Sequence, residues 1–109
     1  MEIVPLTKNK YQEWDDFCLE SPDAWFWHST SWLEYSLNYR PEFNSTSLSF
    51  MVTENKEILA ICPLILEIRN GIKEFAFGGE MTWTPAPAFA DLPPKKREKV
   101  INFTFEHID

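Results

Sequence analysis

A chain of 109 residues, 44% apolar and 16% aromatic, is one domain at most; it can bury a core and is no disordered tail. Ten Lys and Arg against seventeen Asp and Glu leave a net charge of −7, which argues against the basic face that a nucleic-acid backbone demands. Cys18 and Cys62 form no CxxC pair and have no histidine nearby in sequence. They read as reduced, buried thiols of a cytoplasmic protein rather than a disulfide framework or a zinc site. The start, MEIVPLTKNK, has no apolar run of signal-peptide length, and no segment approaches the roughly 18 apolar residues of a membrane span.

In chain order, the spacing predicts a first helix over 10–20. Asn9 is its expected cap with Gln12 as reciprocal partner, and Trp14, Phe17 and Cys18 fall on one face. Glu13, Asp15 and Asp16 point elsewhere, and Ser21-Pro22 stops the helix. Residues 25–32 read WFWHSTSW, and a second helix is expected to open inside this stretch. Ser31 and Glu34 have capping-box spacing, and Trp32, Leu33, Ser36 and Leu37 make an inward stripe that ends at Arg40-Pro41.

A three-stranded antiparallel meander is predicted next. Over 45–53, Thr46, Leu48, Phe50 and Val52 alternate with Ser45, Ser47 and Ser49, so one side is wet. A turn at 54–57 leads to a more buried strand over 58–68, where Pro63 demands a bulge or an unpaired edge. Asn70-Gly71 signals a hairpin into a third strand over 72–77. FGGEMTWTPAPAFADLPP then reads as a long ordered loop, because Met81, Trp83 and Phe89 are too apolar for free solvent. A last helix opens within 91–95 and runs through Val100, Ile101, Phe103, Phe105 and Ile108. Its apolar stripe meets no stop signal, so the chain reads as part of something longer.

Convergent chemistry is sparse. Asp15 and Asp16 are adjacent on a helix, diverge by about 100° and share no proton. His28 and His107 are the histidines, and neither Ser29 nor Ser31 sits in a G-x-S-x-G turn, so no catalytic residue and no metal ligand is assigned. Gly71 belongs to the hairpin, and Gly78-Gly79 match neither G-x-x-x-x-G-K-[ST] nor G-x-G-x-x-G. Gly78, Gly79, Trp83 and Phe89 are candidates for lining a groove at the end of the third strand. The aromatics of WFWHSTSW read as core anchors at the joint of the first two helices, with His28 the one member to test for more.

The order of these features resembles the N-terminal half of FemAB-like acyltransferases, a branch of the GNAT superfamily. The resemblance is carried by EWDDF, WFWHSTSWLEY, LSFMVTENKEILAICPLIL, and FGG with PAP before a helix. It implies an α+β, partial GNAT-like fold with two N-terminal helices on an antiparallel meander, and an acyl or aminoacyl transfer to an amine. The acceptor would be a small-molecule amine or amino sugar. Gly78, Gly79 and Trp83 are placed by the resemblance as acceptor contacts, with His28 and Trp32 supporting them. Acyl-CoA is implied for the full-length family protein, but the [QR]-x-x-G-x-[GA] loop that grips it is missing from these residues. Residues 1–109 are thus expected to be a truncated acceptor-side part, inactive alone. The alternative is a stand-alone α+β binding module, completed by nothing or by a second copy.

Overall fold

The computed structural model describes residues 1–38, 46–69, 72–75 and 86–108, with Trp27, Ser36, 67–69 and 72–75 described by backbone alone. In chain order the elements are β1 (Glu2–Pro5), α1 (Tyr11–Glu20), α2 (Thr30–Asn38), β2 (Thr46–Ser47), β3 (Phe50–Glu54), β4 (Glu57–Cys62), β5 (Ile65–Arg69), β6 (Ile72–Phe75), β7 (Ala88–Phe89) and α3 (Pro94–Ile108). The fold is mixed α+β, and its strands pair antiparallel throughout the described residues.

The expected meander is split. One sheet runs β1-β3-β4-β7 and a second runs β2-β5-β6. The β3–β4 hairpin turns through Asn55 and Lys56, whose φ values of 52° and 68° give the primed turn that matches strand twist. Both predicted long strands then break at the same level. Pro63 has no N–H to donate, and beside it the Leu64 N–H turns from the backbone ladder to the Ser49 hydroxyl. Ser49 Oγ accepts the Leu64 N–H at 3.0 Å, while the Leu48 N–H reaches the Leu64 carbonyl at 2.8 Å. The break also reverses the predicted faces, for Leu48 is exposed and Ser49 is buried. Asn70-Gly71, the expected hairpin turn, lie outside the described residues, and on either side of them β5 and β6 pair with Arg69 opposite Ile72.

Two strands had no strong local signal. β1 pairs with β3 from Glu2 opposite Thr53 to Pro5 opposite Phe50, and β7 pairs with β4 through Ala60 opposite Phe89. β7 lies inside the segment expected to be loop. They complete a sheet that is covered on both faces. Phe50, Val52, Ala60, Cys62 and Phe89 point to one side and pack with Val100 of α3. Met51, Ile61 and Ala88 point to the other and pack with Trp14 and Phe17 of α1. Period-2 alternation in three neighbouring strands thus feeds two separate apolar layers. The second helix packs elsewhere, with Leu33 of α2 against Ile65 of β5.

The helix starts differ from expectation. α1 follows a 3-10 turn over Lys8–Lys10, so Asn9 lies within that turn and bonds Thr7 rather than capping the helix. Gln12 reaches forward to Asp16 at 2.8 Å instead of back. In α3, Thr104 is buried and returns its hydroxyl to the Val100 carbonyl at 2.8 Å, while Phe105 is exposed.

Candidate functional site

The stretch WFWHSTSW folds around its histidine. Phe26–His28 form a single 3-10 turn closed by the His28 N–H on the Trp25 carbonyl at 2.9 Å. The buried imidazole then uses both nitrogens. Nδ1 accepts the Trp25 N–H at 3.2 Å, and Nε2 donates to the Ala86 carbonyl at 2.8 Å. A backbone N–H can only face a bare ring nitrogen, which places the proton on Nε2 and makes the ring neutral. Burial holds the His28 pKa below the usual histidine value, against the Ala86 and Trp25 bonds and the Asp23 carboxylate.

The same turn is anchored from below by α1. Trp14, fully buried, donates its indole N–H to the His28 carbonyl at 2.6 Å, and the Cys18 thiol reaches that oxygen at 3.5 Å. Asp15 crosses to α2, where its carboxylate accepts the Thr30 N–H at 2.9 Å and the Thr30 hydroxyl at 2.6 Å. Ser29 Oγ accepts the Trp32 N–H at 3.3 Å. The start of α2 is therefore held by Ser29 and by a carboxylate from another helix, and the expected cap, Ser31, is exposed. One turn further, Tyr11 donates its hydroxyl to Glu34. Burial and that carboxylate together push the Tyr11 pKa to about 12.

On this base sits an aromatic ledge. Phe26 and Trp32 lie 5.9 Å apart in a tilted pair, and Trp32 stacks on Tyr35 at 5.2 Å. Trp25 is 56% exposed, Phe26 59% and Tyr35 42%, while Trp32 is half-buried. Trp25 and Phe26 are thus not the core anchors the sequence suggests. His28 and Trp14 fill that role, because an imidazole and an indole with satisfied polar atoms can be buried.

Of the residues expected to contact or support an acceptor, His28 and Trp32 belong to this ledge; Gly78, Gly79 and Trp83 lie outside the described residues. Ala86, close after them in sequence, is tied to His28. Just beyond it, Ser21 Oγ donates to the Phe89 carbonyl at 2.6 Å, and Asp23 accepts the Phe89 N–H at 3.2 Å and the Arg97 guanidinium at 3.1 Å. Sequence reasoning missed Asp15 and Trp14 as the ledge's support and Tyr35 as one of its rings. Asp15 carries no local signal, since its partner is half a helix pair away.

Burial pushes both Cys18 and Cys62 up to about 12, so neither offers a thiolate at neutral pH. Among the described residues no group of His, Cys, Asp and Glu side chains is placed to hold a metal ion, and no helix is long and apolar enough to cross a membrane. Compared with known protein families, curated proteins and solved structures, the chain finds no match.

Proposed function

We propose that the chain is the acceptor-side portion of a FemAB-like N-acyltransferase, with the aromatic ledge receiving the amine-bearing acceptor. The observation that carries this reading is the His28–Ala86 bond at 2.8 Å. It joins the WFWHSTSWLEY stretch to the PAP stretch, two of the segments in which the resemblance lies. Two helices followed by antiparallel strands and a last helix is the coarse order that supports it, with the strands forming two sheets rather than one meander and a further strand, β1, ahead of the helices. An amino sugar suits such a surface, since its ring C–H groups pack on the electron-rich faces of aromatic rings.

His28 acts here as a strut, because both of its nitrogens are already bonded inside the fold. The starts of α2 and α3 do not fit an acyl-CoA pyrophosphate, which needs backbone amides open to it. The first amide of α2 faces the Asp15 carboxylate, α3 opens on Pro94 without an N–H, and Lys96 and Arg97 are committed to Glu54 and Asp23.

A second reading, a stand-alone binding module, is favoured by the exposure of Trp25 and Phe26 on a hydrogen-bonded base. Indole NMR signals separate the two during titration with glucosamine, glucose and acetyl-CoA. Under the acyltransferase reading, glucosamine shifts Trp25 and Trp32 saturably and more strongly than glucose, and acetyl-CoA does not saturate. Equal response to both sugars selects the binding module. Tight acetyl-CoA binding by these residues overturns the expectation that the donor is gripped elsewhere, and unmoved indoles under glucosamine overturn the acceptor site.

A further inference from the structure

A groove of about 990 Å³ runs between α1 and the β1-β3-β4 face, with none of the ledge residues in its lining. Its lining has two parts. Val4 and Ile58, both partly buried, supply apolar surface over the buried Phe17 and Met51 of the same cluster. Glu2, Glu13, Asp16, Glu20 and Glu57 supply five carboxylates, against Lys10 and Lys56. One of those lysines is already partnered, for Lys10 lies 3.9 Å from Glu13.

The arrangement of the acids decides what kind of cation suits the groove. Glu13, Asp16 and Glu20 follow one another at i, i+3 and i+7 along α1, a span of roughly 10 Å at 1.5 Å per residue. Glu2 and Glu57 stand on the strand side. Among the described residues no three acidic or metal-binding groups converge on one point, so a single metal ion finds no cage. Separated carboxylates beside apolar surface match separated cations on apolar stems. Lys and Arg side chains have that form, with methylenes that bury and a charged head that reaches the rim. A groove of this size lies within the range of specific ligand sites.

We propose that the α1–sheet groove docks a short basic peptide segment, in which Lys or Arg residues alternate with apolar ones. The charged heads meet Glu13, Asp16 and Glu20 while the apolar residues and the stems cover Val4 and Ile58. The surplus of carboxylates over lysines sets the sign of the partner and speeds its approach. This site is independent of the acyltransferase reading and uses none of the ledge.

The test is fluorescence anisotropy with a labelled Lys-Leu-Lys-Leu-Lys peptide and its Glu-Leu-Glu-Leu-Glu counterpart, at near-physiological salt. Two triple variants of equal charge change are compared after circular dichroism confirms folding: Glu13→Gln with Asp16→Asn and Glu20→Gln in the groove, and Asp91→Asn with Glu98→Gln and Glu106→Gln at and along α3. The basic peptide is expected to bind saturably and the acidic one not at all. The groove triple should weaken binding about fivefold, the sum of three exposed charge contacts, and the α3 triple by less than about twofold. Equal weakening by both triples would reduce the effect to net charge and overturn the proposal. So would absence of saturable binding, or displacement of the peptide by spermidine at matched charge concentration, which would make a free polyamine the occupant.

Discussion

Replacing His28 with alanine tests the ledge at its centre. The change removes an acceptor from the Trp25 N–H and a donor from the Ala86 carbonyl, bonds of 3.2 and 2.8 Å. Both backbone groups are only partly buried, so water can recover some of the loss, and about 1 kcal/mol each is the appropriate scale. The ring itself is buried, and the void it leaves adds about 1–2 kcal/mol. The expected total is about 3–4 kcal/mol, or a fall in Tm of about 12–16 °C at about 4 °C per kcal/mol. Urea unfolding followed by tryptophan fluorescence measures it. Two conservative variants divide the sum. His28→Gln can still donate to Ala86 and His28→Asn can still accept from Trp25, so each should lose about half as much. A loss below about 1 kcal/mol for the alanine variant would refute the strut. Gln and Asn variants as damaged as alanine would show that ring volume, not the two bonds, is what counts.

Acidification acts on the same residue with a defined sign. Its folded pKa lies below the ordinary 6.5, so the neutral ring is favoured by folding; that stability is whole above pH 6.5 and is lost as pH falls through the folded value. The urea midpoint of the parent should therefore fall more steeply between pH 7 and 5 than that of His28→Gln, and parallel slopes would exclude His28 as the cause. For the tryptophans, Trp14→Ala should cost about 4 kcal/mol and Trp25→Ala about 1 kcal/mol or less, since one is fully buried and the other more than half exposed; reversed ranking by chemical denaturation would contradict the packing. At the start of α2, Asp15→Asn should cost about 1–2 kcal/mol through the lost charge and weakened Thr30 bonds, while Ser31→Ala stays near zero. A larger loss at Ser31 than at Asp15 would restore the local capping box.

What the residues determine by themselves is whatever repeats locally. The i, i+3, i+4 spacing of Trp14, Phe17 and Cys18 is enough to orient α1, and Trp14 and Phe17 are buried as that spacing requires. Pro63 announces the break between β4 and β5, because a residue without an N–H cannot continue a ladder. Other features exist only once distant segments meet. β7 is two residues long and is a strand because β4 lies beside it; Ser49 is buried because Leu64 needs its hydroxyl. The cap of α2 comes from Asp15, a position that reads as a solvated helix face until Thr30 is placed against it. The opening aromatic stretch shows the same division most plainly. Its composition says that some of its rings must be buried, yet which ones depends on where Trp14 and the Ala86 carbonyl arrive. His28 can satisfy both ring nitrogens there and goes in, leaving Trp25 and Phe26 largely outside. Hydrogen-bond satisfaction across long sequence separations made that choice, and apolar character alone could not.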